Sequence, residues 1–258
     1  MKGIPVLMYH ALEDASHPAG AKDAGEQLYI LQTEQFREQM AYLKQNGYRT
    51  CLLDELTVME TWPEKTVVLT FDDGHQSNHT LALPILQQYG FKAHFFITTG
   101  WIGTPYFLTP EQIKALHEAG MGIGSHGVTH RFLSDLPDNE AVSELTESRE
   151  RLSAIVGSSV TSFSAPGGRF CKRTEQSARQ IGYRYFVTSE VGLVSIDAFT
   201  TFIPRCTIKA ATSLAEFSAV VAGNTAMINS MAQRARLLCM AKKLLGNTLY
   251  EKIRRLVL

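Results

Sequence analysis

Residues 66–71 read T-V-V-L-T-F and stop abruptly at two adjacent acids, Asp72 and Asp73, followed by Gly74. An unbroken apolar, β-branched run of this length is a strand buried on both faces, the habit of parallel sheets covered by helices. Carboxylates are almost never fully buried unless paired or bound to a metal, so two acids at the lip of a core strand need a reason. Asp-Asp-Gly is also good turn chemistry, and Asp is a favoured helix cap, which gives the pair a purely structural reading as well.

The rest of the chain fits around that strand. Residues 4–9, I-P-V-L-M-Y, read as a first apolar strand, with Pro5 near its start where a strand tolerates it. Residues 11–32 carry Gly, Asp, His and Pro without a clear period and read as a loop over a site. Thr33 opens a helix with Phe36, Met40 and Leu43 at helical spacing, which Asn46-Gly47 stops; residues 52–61 form a weaker short helix. Beyond the acid pair the pattern predicts helices over 81–89, 109–120, 139–156 and 174–181, and strands over 92–98, 121–125, 160–164, 185–188 and 202–208. This alternation means βαβ units and mainly parallel pairing, and about seven such units over roughly 220 residues suit a closed or nearly closed barrel. In such a barrel the working residues sit where strands end.

Composition narrows the class. The 258 residues, 45% of them hydrophobic, supply one large core or two small ones. Lys and Arg number 25, as do Asp and Glu, and this neutral balance argues against a nucleic-acid binder working by bulk electrostatics. The start lacks a signal-peptide pattern and no apolar run is of membrane length, so a cytoplasmic protein is expected. Cys51, Cys171, Cys206 and Cys239 lie far apart with no C-x-x-C, which predicts reduced thiols rather than disulfides or a thiolate zinc site.

Residues 125–130, S-H-G-V-T-H, directly follow a predicted strand. His126 and His130 have the spacing of neighbours on one face of a helical turn, close enough to share an ion. The pair alone is a weak signal, because either histidine could be a hydrogen-bonded core or surface residue. Here, however, the histidines and the acids both follow strands, and a barrel brings those strand ends to one rim. Two imidazoles and a carboxylate leave a position for water, the pattern of a catalytic zinc site, although the same donors also suit cobalt, nickel or iron. The second carboxylate is then available as a base. The chemistry this combination fits is metal-assisted hydrolysis of an amide or ester.

T-F-D-D-G at 70–74, S-H-G-V-T-H at 125–130, S-A-P-G-G at 164–168 and the opening P-V-L-M-Y-H at 5–10 resemble the polysaccharide deacetylase family, also known as the NodB homology domain or carbohydrate esterase family 4. The resemblance covers roughly residues 4–208. It implies a distorted (β/α)-barrel that removes N-acetyl groups from amino sugars. By the same resemblance Asp72 is the general base, Asp73, His126 and His130 hold one divalent metal ion, expected to be zinc, and Pro166 and Gly167 bind substrate, with the Gly167 N–H as oxyanion donor. Two departures stand out. The arginine that braces the base in the family's third motif is replaced by Ser164, with Arg169 a nearby candidate to substitute. The family's terminal Leu-x-His histidine, which protonates the leaving amine, has no counterpart: no histidine follows His130, and residues 203–209, I-P-R-C-T-I-K, stand roughly where it would be. Either another group is the acid, His10 being the one to test, or the water's proton is relayed back through Asp72.

Among the remaining features, His75 and His79 read as surface residues at a helix start, and His94 as core or as support for the site. Phe95 and Phe96 read as core, whereas Trp101, with Tyr106 and Phe107, is a candidate platform for a sugar ring. The chain divides into a barrel domain over 1–224 and a helical tail over 225–258. The tail carries Arg234, Arg236, Lys242, Lys243, Lys252, Arg254 and Arg255 against a single acid, Glu251. It reads either as helices packed across the barrel end or as a basic amphipathic surface for anionic lipid or a partner. The whole is read as a metal-dependent N-deacetylase of a polysaccharide, oligosaccharide or lipid-linked glycan, cytoplasmic or peripheral at the inner face of the membrane. The alternatives are a hydrolase of a non-sugar amide or imide, an inactive sugar-binding barrel, and a membrane-bound scaffold.

Overall fold

The computed structural model describes residues 3–240 except 22, 59–60, 170–171, 196–201 and 239. In chain order the elements are β1 (Ile4–Tyr9), β2 (Ala11–Glu13), α1 (Ala24–Gln27), β3 (Ile30–Gln32), α2 (Thr33–Gln45), β4 (Arg49–Thr50), α3 (Leu53–Val58) and β5 (Thr66–Phe71). There follow α4 (Leu83–Tyr89), β6 (His94–Ile97), α5 (Pro110–Glu118), β7 (Gly122–Ser125), α6 (Asp138–Val156), β8 (Ser162–Ser164) and α7 (Lys172–Ile181). The last elements are β9 (Tyr185–Val187), β10 (Leu193–Val194), β11 (Phe202–Ile203), β12 (Cys206–Thr207) and α8 (Leu214–Val221).

The barrel runs β1-β5-β6-β7-β8-β9-β11, with every neighbouring pair parallel. The predicted strand over 202–208 is present as two pieces with separate partners: β11 pairs with β9, and β12 pairs with β1. This one segment therefore carries the ring from its last strand back to its first. It breaks at Pro204-Arg205, where proline has no N–H to give a ladder. The strands bury both faces, as the unbroken apolar runs require. Leu7, Tyr9, Leu69, Phe71, Phe95, Phe163 and Phe186 join the helices in the larger cluster. The alternate positions Val6, Val68, Phe96, Val187 and Ile203 form a second cluster, in keeping with the two-residue period of a strand.

The predicted helices α2, α5 and α6 are all present, and α5 has the expected cap. Phe36, Met40 and Leu43 of α2 are buried, and Thr109 and Gln112 form a reciprocal capping box at the start of α5. The predicted loop over 11–32 differs from expectation. It holds the short helix α1, capped by Asp23, and the strands β2 and β3, which pair in parallel from Ala11↔Ile30 to Glu13↔Gln32. Strands of three residues are too short to show a period in sequence. The helix predicted over 81–89 is α4 preceded by a π-helical turn at Asn78–Ala82. A helix continues from residue 225 to 238, with Ile228 buried and Met227 and Met231 packed on the core. Cys171, Cys239 and the tail beyond 240 lie outside the described residues; Cys51 and Cys206 are buried free thiols.

Candidate active site

Asp72 follows the last residue of β5 and belongs to the same strand face as Val68 and Thr70. Its backbone N–H donates to Tyr9 O at 2.9 Å, and the residue is 3% exposed. Its partner is Arg205, itself fully buried at the break between β11 and β12. Nη1 donates to Asp72 Oδ1 and Nη2 to Oδ2, both at 2.7 Å. The guanidinium also donates to Thr188 O at 2.9 Å, Ser164 Oγ at 3.0 Å and Thr70 Oγ1 at 3.2 Å, and Ser164 Oγ donates to Asp72 Oδ2 at 3.2 Å. Burial pushes the Asp72 carboxyl upward, but Arg205 and the neighbouring imidazoles outweigh it, leaving the pKa below the ordinary carboxylate value.

Asp73 turns the chain away from the strand with φ 75°, followed by Gly74 at φ 82°. A side chain on Gly74 would come within 2.9 Å of Ile97 Cγ2, so the turn after the acids requires glycine on two counts. Asp73 Oδ1 is 3.3 Å from His130 Nε2 and 3.5 Å from His126 Nε2. Among the described residues, these three form a group able to hold a metal ion, with one ligand atom from each within 4.8 Å of the others. The histidines sit in a loop after β7, not on the helical turn their spacing suggested. Gly127 at φ 79° and His130 at φ 61° bend that loop back on itself.

The donor set fits a cation. His126 Nδ1 lies 2.7 Å from Ser164 O, and a carbonyl can only accept, so the proton is on Nδ1 and the lone pair is on Nε2. Burial pulls this imidazole down to about 4, so it is neutral at pH 7. The Nε2 lone pair then faces Asp73 Oδ1, a buried oxygen that accepts no hydrogen bond of ordinary geometry. Two buried acceptors facing one another are unfavourable unless a positive charge sits between them. Burial opposes ionisation of Asp73, but the imidazoles around it, those of His130 and His75 first, hold its pKa well below the ordinary carboxylate value.

Other predicted residues fall around this centre. Pro166 is buried in the turn after β8, and Gly167 takes φ 62° where a Cβ would meet the Phe132 ring at 2.4 Å. The Trp101 ring packs at a tilt 5.1 Å from the His130 ring and 4.8 Å from that of Phe107. His10 packs on Tyr29 at 4.7 Å and has a buried Nδ1 without a hydrogen-bond partner. Burial lowers its pKa, while Asp73 and Asp72 pull it up, which places it within their field. His94 is core, bonded through Nε2 to Ser162 Oγ at 2.7 Å, and Phe95 and Phe96 are fully buried.

Two expectations are corrected. Arg169 does not brace the base: it lies at the surface over the Phe132 ring and pairs with Asp135 at 3.3 Å. Arg205, at the break between β11 and β12, pairs with Asp72 instead. Its signal in the sequence was a lone arginine inside the apolar stretch 203–208, because a buried guanidinium demands a buried acid. His75 is not a surface residue. Its Nε2 is 3.7 Å from Asp73 Oδ2, and its ring stacks on Phe107 at 4.9 Å.

The chain is similar to known proteins. The family described as Polysaccharide deacetylase matches residues 60–186. The YxkH protein of Bacillus subtilis (strain 168), assigned by name to the polysaccharide deacetylases, is 32% identical over 222 residues, covering 84% of this chain and 76% of YxkH. The chain belongs to the polysaccharide deacetylase family. A further relative is the poly-beta-1,6-N-acetyl-D-glucosamine N-deacetylase of Escherichia coli (strain K12), 26% identical over 84% of this chain but only 38% of that enzyme. Among solved deacetylases, Streptococcus pyogenes PplD in complex with acetate superposes with a TM-score of 0.72 at 29% identity, covering 82% of this chain and 94% of PplD. The nearly closed barrel described above is thus the fold of this deacetylase family.

Proposed function

We propose that this chain is a metal-dependent hydrolase that removes N-acetyl groups from the amino sugars of a glycan. The observation that carries the reading is the division of labour between adjacent acids: Asp72 is gripped by Arg205, while Asp73 presents a bare oxygen to two imidazoles. Asp73, His126 and His130 would hold the ion, zinc being favoured by the donor set. When bound, such an ion polarises a carbonyl oxygen and makes water more acidic.

The chain's own residues account for the proton traffic. Asp72, ionised at neutral pH, accepts a proton from the attacking water as oxygen adds to the acetyl carbon. The Gly167 N–H, exposed by the left-handed turn, faces the developing oxyanion. As the C–N bond breaks, the nitrogen needs a proton. Because burial keeps His10 below its ordinary pKa, it is neutral at rest and serves as a carrier: it receives the proton from Asp72 and delivers it to the amine. The products are acetate and a free amino sugar. Arg205 answers the missing motif arginine, one of the two departures from the family pattern.

Support for a glycan substrate comes from the poly-N-acetylglucosamine enzyme among the relatives and from Trp101 beside His130. The test is to incubate the protein with N-acetylglucosamine oligomers, lipid-linked N-acetyl sugars, and non-sugar amides and imides, and to assay acetate and ammonia. Acetate from the sugars alone supports the reading. Turnover confined to the non-sugar compounds replaces it.

The tail suggests a peripheral contact with anionic lipid. Leu237, Leu238 and Met240 are exposed near Arg234 and Arg236, and the basic residues from Lys242 onward lie outside the described residues. Among the described residues, no helix is long and apolar enough to cross a membrane. Sedimentation with phosphatidylglycerol vesicles, lost when the seven basic residues from Arg234 to Arg255 are neutralised, supports the contact. No sedimentation of the full chain removes it.

A further inference from the structure

The loop that carries both histidines contains two positive-φ residues, Gly127 and His130, and is held from two sides. On one side, its carbonyls are fixed by the turn after β6: Thr99 N–H donates to Gly127 O at 2.9 Å, and Gly100 N–H donates to Val128 O at 2.8 Å. On the other side lies Glu144 of α6, 5% exposed although it carries a carboxyl group. Its Oε2 accepts from Val128 N–H at 2.6 Å and from Thr129 N–H at 3.0 Å, and its Oε1 accepts from the Thr129 hydroxyl. A Cβ on Gly127 would lie 3.0 Å from Oε2, so carboxyl and loop are in close contact.

Glu144 is in turn anchored by its helix. The Ser125 hydroxyl donates to Ser148 Oγ at 2.7 Å, and Arg151 donates to Thr99 O at 2.8 Å. The turn, the loop and α6 thus form one hydrogen-bonded unit. Nothing in the mechanism above uses Glu144, and an acid buried on a helix needs a cause.

We propose that Glu144 is a positioning residue for the metal centre: by gathering the amides of Val128 and Thr129, it holds the loop in the conformation that aims His130 at Asp73. The inference rests on the metal reading of Asp73, His126 and His130. Supporting groups of this kind typically change metal affinity about ten- to a hundredfold when removed. All three bonds to Glu144 are donated to it, so glutamine can replace it. The amide oxygen accepts from the two N–H groups, and the NH₂ donates to the Thr129 hydroxyl oxygen. Alanine and leucine cannot do this.

The test measures zinc affinity by competition with a fluorescent chelator, together with thermal unfolding of the metal-stripped protein, for wild type, Glu144→Ala, Glu144→Leu, Glu144→Gln and Thr129→Val. The expected result is zinc affinity about tenfold or more weaker in Glu144→Ala and Glu144→Leu and within about threefold of wild type in Glu144→Gln. Loss of the hydroxyl in Thr129→Val gives a smaller decrease. A merely structural glutamate would lower the unfolding temperature of the stripped protein while leaving the affinity of the folded fraction unchanged, and that overturns the proposal. If the alanine and leucine variants do not fold, Glu144→Gln and Thr129→Val decide: equal affinities in wild type and Thr129→Val overturn it, and a loss in Thr129→Val with retention in Glu144→Gln supports it. Wild type that binds no zinc fails the metal reading itself, an outcome separate from wild type and Glu144→Ala binding equally well.

Discussion

Arg205 grips Asp72 through two parallel hydrogen bonds of 2.7 Å, with both side chains withdrawn from solvent. The two residues are 133 positions apart in the chain and meet where the segment with β11 and β12 joins the last strand of the ring to the first. Removing one partner of a buried pair leaves an uncompensated charge, at a cost of about 3–5 kcal/mol. Arg205→Leu is therefore expected to lower stability by about that amount in urea unfolding, and Arg205→Leu with Asp72→Asn to regain much of it without regaining activity. Arg205→Lys keeps the charge but loses the planar fork, so it should fold while kcat falls.

The same pair shows how far the sequence could be read. The acids, the two histidines and the strand before each were legible because local patterns carried them: an apolar run ending in charge, and an H-x-x-x-H spacing. Arg205 was not legible as the brace, because its role depends on barrel closure, which joins residues 72 and 205 across the whole fold. His75 was misread for a related reason, since a position just after a strand does not say whether the next turn faces solvent or the site. The loop over 11–32 hid β2 and β3 because three residues cannot display a period.

His10 lies within the field of both acids, and replacing it separates the two routes for the returning proton. His10→Asn is expected to lower kcat by about a hundredfold or more while leaving metal content unchanged, the scale of a lost acid–base group. Stopped assays of acetate release with metal analysis check this. Wild-type kcat in the variant would assign the whole proton return to Asp72.

Gly167 adopts φ 62° with the Phe132 ring where a side chain would go. Gly167→Ala must shift the turn and its N–H, so kcat should fall by up to about a hundredfold with little change in bound metal. An alanine variant with unaltered kcat would remove Gly167 from the catalytic account.

His94, bonded to Ser162 Oγ, is pulled by burial from an ordinary value of 6.5 to about 4. The unfolded chain binds this proton first on acidification, so the stabilisation is complete above pH 6.5 and is lost as pH falls from 6.5 towards 4. His94→Asn should flatten part of that decline in urea midpoints measured at pH 7, 5.5 and 4 in chelator. Identical slopes in both proteins would contradict the assignment.

The central claim is that Asp72 moves the proton while Asp73 and the two histidines hold the ion. Metal content and acetate release, measured together on wild type and Asp72→Asn with N-acetylglucosamine oligomers and lipid-linked N-acetyl sugars, test it most directly. The account predicts about one metal ion per chain in both proteins, the stoichiometry of a single three-ligand site, and acetate release from wild type alone. A wild type without metal, or an Asp72→Asn variant that still releases acetate at the wild-type rate, would contradict it.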